Sequence, residues 1–375
     1  MIERRHTVDV AIVGGGPAGA SASIELARAG YRVLILEKSQ NRSVLKVGES
    51  LPPTAMPLLR KLNALEQVRR DGHLPSYGNN SAWGSSRVQS TDFIKNPFGH
   101  GWHLDRHKFD AGLLSSAEQA GVQVFHGPQG VTVLSTQEER WHLCFPCGEV
   151  RHEIVTPWVI DCTGRASWLA RQEKIKRVRY DRLVAFVSEF CHAEAAVEDL
   201  STSTLIESTR HGWWYTARIP NNNRVVVYHT DADCPTAVSA RSQPGFSELL
   251  SQTYQIKTIL AQGGYEAMRR PRPTLADSSR LARIIDHRWI AAGDAAAAYD
   301  PLSSQGIVSA LYWGSRAGRS LTAHLQGDLT ALPAYQDLLE NYYLQYLDQR
   351  HQYYCHENRW PTETFWRRRH HVTML

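Results

Sequence analysis

Val8-Asp9-Val10-Ala11-Ile12-Val13-Gly14-Gly15-Gly16-Pro17-Ala18-Gly19 carries the architecture of this chain. The apolar run 8–13 reads as a buried parallel strand. It ends in Gly14-x-Gly16-x-x-Gly19, the spacing by which a strand turns into a helix over a dinucleotide pyrophosphate. Gly14 permits the tight turn, Gly16 lets the backbone approach the phosphates, and Gly19 lets helix and strand pack closely. Ala18 lies in the first helical turn, whose free N–H groups and positive dipole end favour an anion. The spacing predicts a helix over 17–29 that stops at Gly30 and a second buried strand over 31–36. Glu37 closes that strand eighteen residues after Gly19, where a ribose-binding carboxylate belongs.

Outward from this βαβ unit, 54–70 reads as an amphipathic helix and 109–120 as another. Strands are expected at 122–125, 131–135, 141–145 and 153–160, the last running into Asp161-Cys162-Thr163-Gly164. The middle third changes to strand-like segments at 183–190, 204–207, 213–219 and 224–230, joined by turn residues and suited to antiparallel pairing. A helix over 245–260, a strand at 289–292 ending in Gly293-Asp294 and a long helix over 306–326 follow. The last 45 residues read as helical and rich in tyrosine and arginine. The expected fold class is therefore α/β: a Rossmann-like dinucleotide-binding domain assembled from 1–75, 98–180 and 275–330, an inserted antiparallel-sheet substrate domain at 76–97 and 181–274, and a C-terminal helical segment at 331–375.

The bulk properties narrow the classes. The 375 residues suffice for a well-buried core, and no apolar run approaches a membrane span. Met1 to His6 lead straight into a strand with no room for a secretory signal, so a cytoplasmic location is expected. Forty-two Lys and Arg against 37 Asp and Glu leave a net charge of +5, scattered except for Arg367-Arg368-Arg369, so neither nucleic acid nor membrane is expected as a partner. Of six cysteines only Cys144 and Cys147 stand close together, with no second pair at metal spacing, which reads as reduced thiols. His73, His100, His103 and His107 cluster in sequence without a metal-ligand pattern, so no metal is expected.

The Gly14–Gly19 turn, the Asp161–Gly164 run and Gly293-Asp294 together resemble the FAD-dependent hydroxylases, halogenases and reductases of the p-hydroxybenzoate-hydroxylase fold. The resemblance implies that FAD is the cofactor and that Asp161, Gly164 and Asp294 bind it, Asp294 at the ribityl and pyrophosphate region. It further implies that Gly48 and Glu49, in Val47-Gly48-Glu49-Ser50, lie against the flavin ring, and that Arg106 reaches the cofactor from a helix start. The Asp300-Pro301-Leu302-Ser303-Ser304-Gln305-Gly306 run resembles the loop and helix N-terminus facing the flavin pyrimidine, which assigns Pro301 and Gly306 to cofactor binding.

Flavin-dependent tryptophan halogenases carry W-x-W-x-I-P and a catalytic lysine. Here Ile219-Pro220 is kept, but Tyr215 and Ala217 stand at the tryptophan positions, and Ser81-Ala82-Trp83 stands where the lysine is expected. Halogenation is therefore not expected. The Gly48-Glu49-Ser50-Leu51-Pro52-Pro53 run, the Pro301–Gly306 loop and the Phe365-Trp366-Arg367-Arg368-Arg369 ending resemble flavoproteins that mature the quinoprotein amino-acid oxidases for lysine and glycine. That resemblance implies a monooxygenase hydroxylating a tryptophan within a partner precursor of a quinoprotein amino-acid oxidase, on the way to cysteine tryptophylquinone. It needs molecular oxygen and an external electron donor, reduced nicotinamide or another. Alternatives are a hydroxylase, reductase or halogenase of a small molecule, or a non-enzymatic chaperone flavoprotein. Glu49 and Gln305 are the candidate catalytic residues. Trp83, Trp102, Trp213 and Trp214 are candidates for the substrate side, since aromatics stack on an indole. The partner is expected over the sheet of 183–230, with the Tyr- and Arg-rich helices of 335–369 as a docking face.

Overall fold

The computed structural model describes residues 2–38, 46–127, 130–137, 139–147, 149–193 and 199–371. The apolar run after Asp9 forms the strand Val10–Val13, with all four residues buried. It lies inside a sheet ordered Ile285–Asp286, Trp289–Ala291, Trp158–Asp161, Val10–Val13, Val33–Glu37, Gln123–His126. All neighbours pair in parallel except the antiparallel edge hairpin of Ile285–Asp286 with Trp289–Ala291. Parallel strands buried on both faces explain the unbroken Val/Ile/Leu runs in this part of the sequence.

The expected strand over 153–160 is two strands. Val150–Thr156 pairs with Ile2–Thr7 and Arg140–Cys147 in a separate four-stranded sheet, and Trp158–Asp161 enters the parallel sheet. Pro157 stands at the break, where a missing N–H interrupts any ladder. Two expected helices are also divided. The 54–70 segment breaks between Met56–Lys61 and Leu65–Arg70, where Asn63 takes φ +58°. The 245–260 segment breaks into Gln243–Ser251 and Gln255–Gln262. The buried Glu207 carboxylate accepts the N–H groups of Gln255 (3.1 Å) and Ile256 (3.0 Å), so a side chain from the sheet starts the second helix.

The mainly antiparallel sheet runs Tyr265–Ala267, Leu183–His192, Asn223–Asp231, Gly212–Ile219, Ser203–Thr209, Gly78–Ala82, Gln89–Asp92, with Arg272–Leu275 also paired to Leu183–His192; Ser203–Thr209 and Gly78–Ala82 are its one parallel pair among the described residues. Alternation sends Val184, Phe186, Trp214, Val226 and Tyr228 against the helices Gln243–Ser251 and Gln255–Gln262. Leu183, Ala185, Val187, Trp213, Val225 and Val227 face the other way, in one cluster with Tyr354, Phe365 and Trp366.

The C-terminal helices Ala331–Cys355 and Thr364–His370, expected to form a tyrosine-rich docking face, turn part of that tyrosine set inward and leave Tyr342 and Tyr353 exposed. Tyr335, Tyr343, Tyr346 and Tyr354 are buried, and their hydroxyls are used inward: Tyr335 donates to the Ala291 carbonyl (3.0 Å) and Tyr343 to that of Ala298 (3.1 Å). Arg369 is buried against the Asp231 carboxylate (2.7 Å). A hydroxyl that can reach a buried carbonyl makes tyrosine a core residue. The sheet of 183–230 packs one face on the helices Gln243–Ser251 and Gln255–Gln262 and part of the other on Tyr354, Phe365 and Trp366.

The helix Pro17–Arg28 packs along the helix Gly306–Leu325 at backbone distance. A Cβ on Gly314 would sit 2.1 Å from the Ala18 carbonyl oxygen, and one on Gly318 would sit 2.6 Å from that of Ala22. Both N-termini thereby open on the same space. We expect Gly314→Ala to force the helices apart, destabilise the protein by about 2 kcal/mol or more and lower its retention of FAD. Urea unfolding checks the first effect and flavin absorbance the second; an unchanged midpoint would contradict this packing.

Candidate active site

A cavity of about 940 Å³ starts at the turn between Val10–Val13 and Pro17–Arg28. Gly14 has φ +100°, and a Cβ there would sit 2.4 Å from the Cys162 carbonyl oxygen. A Cβ on Gly19 would sit 1.9 Å from the Gly14 carbonyl oxygen, so Gly19 supports the turn and does not line the cavity. Gly16 differs from both: a Cβ there meets nothing within 4 Å, so it faces open space at the helix N-terminus. The Glu37 carboxylate lines the cavity and accepts the Gly15 N–H at 2.5 Å, bracing the turn from the end of the next strand.

Further along, Gly48 takes φ +91°, and its loop is held by Arg106, which donates to the carbonyls of Val47 (2.6 Å) and Gly48 (3.0 Å). Asp105 caps the Arg106–Gln119 helix by accepting the N–H groups of His107 and Lys108, which fixes where Arg106 leaves the helix. Asp294 opens on the cavity with 34% of its side chain exposed, its Oδ2 3.7 Å from Arg165 Nε. That exposed part faces the cavity, and the enclosure there pushes the Asp294 carboxyl up, against the pull of Arg165 and Arg177. Pro301 and Gly306 line the same wall, and a Cβ on Gly306 also meets nothing within 4 Å.

The far end of the cavity is the antiparallel sheet. Ala185 and Val187, Trp213 and Tyr215, and Val227 and His229 come from three neighbouring strands at alternate positions and form its floor. Trp213 stacks on His229 with centroids 3.6 Å apart, and burial takes the His229 imidazole down to about 3, so it is neutral. Glu49 stands between the glycine turn and this floor. It is 4% exposed, and burial pushes its carboxyl up. The Tyr215 hydroxyl faces Glu49 and Ser50 without closing a well-formed hydrogen bond to either.

A family profile described as "FAD binding domain" matches residues 7–350. The chain belongs to this family. It is 28% identical over 373 residues to LodB of Marinomonas mediterranea, whose name describes an FAD-dependent oxidoreductase, with 99% of each chain covered. Its fold is similar to that of CmlS, a flavin-dependent halogenase: TM-score 0.83, 26% identity, 98% of this chain and 68% of that one. It is also similar to that of QhpG, named a peptidyl tryptophan dihydroxylase essential for tryptophylquinone cofactor biogenesis: TM-score 0.73, 21% identity, 97% of this chain and 79% of that one. The protein is an FAD-dependent oxidoreductase with the expected Rossmann-like fold and inserted antiparallel sheet.

The residues present fit FAD. Gly16, Gly164 and Gly306 leave open space for it, two helix N-termini converge, and the buried Arg106 Nε has no hydrogen-bond partner. Gly14, Gly16, Ala18, Glu37, Gly48, Arg106, Gly164, Asp294, Pro301 and Gly306 all line the cavity, as does Glu49. Three expected residues do not: Gly19, which supports the turn, Asp161 and Gln305. Asp161 is buried and spends its carboxylate on the N–H groups of Thr163 (2.9 Å) and Leu169 (2.8 Å), so it shapes the loop from which Cys162, Thr163 and Gly164 reach the cavity. Gln305 is exposed, its amide oxygen accepts the Tyr342 hydroxyl at 2.8 Å, and it does not line the cavity, so it is withdrawn as a catalytic candidate.

Of the four candidate tryptophans only Trp213 reaches the cavity; Trp102 and Trp214 are buried elsewhere, and Trp83 packs edge-on against Trp213 and Trp366. Tyr215, His229 and Arg165 were not anticipated as lining residues. The period-two alternation from Trp213 predicts Tyr215, but nothing local marks His229 or Arg165. None of His73, His100, His103 and His107 lines the cavity. Among the described residues, the one Asp/Cys cluster at metal-ligand distance is Asp231, Asp233 and Cys234, and its carboxylates are paired with Arg368, Arg369 and Arg182.

Gly16→Val should leave the fold intact, because φ is −69° and the Cβ site is open, yet abolish FAD retention by blocking the pyrophosphate. A normal melting curve with colourless protein is the expected result, and a yellow variant refutes the placement. Glu49 gives a pH prediction. Its folded-state value lies above the unfolded one, so its contribution to stability is present at low pH and lost as pH rises through the raised value. Glu49→Gln removes that loss. From about pH 4 to pH 8 the variant should lose less melting temperature than the parent, and identical slopes would contradict a buried, raised carboxyl.

Proposed function

We propose that this FAD-dependent oxidoreductase is a monooxygenase that hydroxylates a tryptophan side chain of a partner protein during tryptophylquinone cofactor biogenesis. The observation that carries this reading is one continuous cavity joining the dinucleotide turn to the apolar, aromatic floor of Ala185, Val187, Trp213, Tyr215 and Val227. Support comes from the full-length likeness to LodB and from the shared fold with a peptidyl tryptophan dihydroxylase. The partner in this reading is the precursor of a quinoprotein amino-acid oxidase. The cofactor is reduced by an external donor, for which reduced nicotinamide is our proposal.

Bound FAD supplies the activation of molecular oxygen. The chain holds the ring, keeps water out and handles protons. The small side chains of Ala185 and Val187 leave room for a planar ring, and Trp213 adds an aromatic group to the lining. The stacked His229 is neutral and adds no charge that would repel or hydrate the site. Glu49, kept protonated to a higher pH than an ordinary carboxyl, is the group placed to hold or release a proton between cofactor and floor. Trp213 is itself fixed: its indole N–H donates to the Tyr354 hydroxyl (3.0 Å), which donates to Asp300 (2.9 Å).

Halogenation is the rival reading, and named halogenases are among the relatives. The position expected to hold an ammonium is Ala82, buried at the end of Gly78–Ala82 and off the cavity lining. Co-expression with a precursor quinoprotein separates the readings. Intact mass should show a gain of oxygen on one tryptophan only when this chain is present and able to bind FAD, as judged with Gly16→Val. Identical precursor masses in both cultures would refute the proposal, and a chlorinated or brominated product from free tryptophan, halide and reduced flavin would establish the rival.

A further inference from the structure

Beside the cavity lies a second concavity of about 420 Å³ whose wall carries four guanidinium groups, Arg165, Arg171, Arg177 and Arg179. It shares Arg165, Ala166, Arg171, Thr274 and Leu275 with the cavity, so the two open into one another along a common lip. The charges on this wall are not balanced. Asp277 pairs with both Arg165 (3.2 Å) and Arg179. Asp294, 3.7 Å from Arg165, faces the cofactor side. Arg177 gives its N–H groups to neutral acceptors: the hydroxyls of Ser167 (2.6 Å) and Ser279 (3.1 Å) and the carbonyls of Asp294 (2.7 Å) and Ala295 (2.9 Å). Arg171 is exposed, and among the described residues no carboxylate pairs with it. Four cations thus meet two carboxylates, and the exposed Arg272 adds positive charge on the lining of the adjoining cavity.

The geometry also says how an occupant is held. Arg272–Leu275 is the outer strand at this end of the sheet, but Pro273 has no N–H to offer. That removes one donor for a further strand, while the guanidinium groups of the groove offer side-chain contacts. Guanidinium forks match carboxylates in shape as well as charge. Leu275, 51% exposed on the common lip, gives an apolar contact between the two compartments.

We propose that the arginine-lined groove holds Asp or Glu side chains flanking the target tryptophan of the partner polypeptide, so that the acidic residues dock beside the cavity while the ring enters it. This rests on the reading that the substrate is a protein-borne tryptophan. It adds the chemical character of the segment that is recognised.

The test uses the FAD-loaded full chain and two fluorescein-labelled peptides. Each has a single central tryptophan; one has three Asp or Glu residues on either side, the other has Asn or Gln in their place. Fluorescence anisotropy should show the acidic peptide binding about tenfold tighter or more, with the preference shrinking as salt is raised. Arg171→Glu and Arg179→Glu, tested separately, should each remove most of the preference, and the exposed Arg171 keeps the test informative if the Arg179 variant fails to fold. Equal binding of the two peptides overturns the proposal, as does a preference that survives both substitutions. Saturable binding of inorganic pyrophosphate, lost in the same variants and without any peptide preference, overturns it in favour of a phosphate site. The assay reads binding alone, so its failure leaves the co-expression result standing, and the reverse also holds.

Discussion

The close contact between the helices Pro17–Arg28 and Gly306–Leu325 governs the geometry of the site. Helix axes normally stand apart by the thickness of their side chains, roughly 8–10 Å. Gly314 and Gly318 remove that thickness on one side, and Ala18 and Ala22 nearly remove it on the other. The second helix begins at Gly306, on the wall of the cavity that the first helix opens at Gly16. Two positive dipole ends then face one space, which favours negative charge there. Glycine is required here because a carbonyl oxygen occupies the place where a Cβ would lie. This is a packing constraint and not one of backbone conformation.

A second constraint ties the C-terminus to this arrangement. Asp300 is buried at the head of the Pro301–Gly306 loop, where its backbone N–H donates to the Tyr346 hydroxyl (2.6 Å) and its carboxylate accepts from Tyr354 (2.9 Å) and Arg350 (3.1 Å). Arg350 is shared with Asp181 (2.8 Å). A buried charge of this kind is tolerated only when every partner is in place, so removing one partner costs more than the pair contributes. The C-terminal helix is thereby part of the site's foundation. It fixes the Pro301–Gly306 loop on one wall of the cavity and, through Tyr354 and Trp213, the floor on another.

This explains which parts were legible in the sequence. The glycine turn, the strands around it and the helix from Gly306 were, because each is set by short-range rules of period, turn and cap. So were most of the expected residues that line the cavity, since they follow those motifs at fixed offsets. The split at Pro157 carried a local signal that the apolar pattern around it masked. Asp161 and Gln305 were misplaced because a motif gives position along the chain and not side-chain direction; one turns to its own loop and the other to Tyr342. The inward tyrosines were not legible because composition does not show whether a hydroxyl meets a carbonyl or water. Arg165, Arg171, Arg177 and Arg179 read as scattered charge, although the turn after Trp158–Asp161 folds them onto one wall.

The two compartments divide the work by physical character. The floor is apolar and carries a neutral imidazole, which suits a ring that must be stripped of water before it reacts. The adjoining groove is cationic and open to solvent through Arg171. A free indole could use only the first compartment. A tryptophan within a polypeptide has neighbours, and those neighbours can reach the second. Ionic contacts at an open groove add selectivity and encounter rate more than affinity. Under the proposed function, such a site would choose its substrate by what flanks the ring while leaving the ring itself in the apolar cavity next to Glu49.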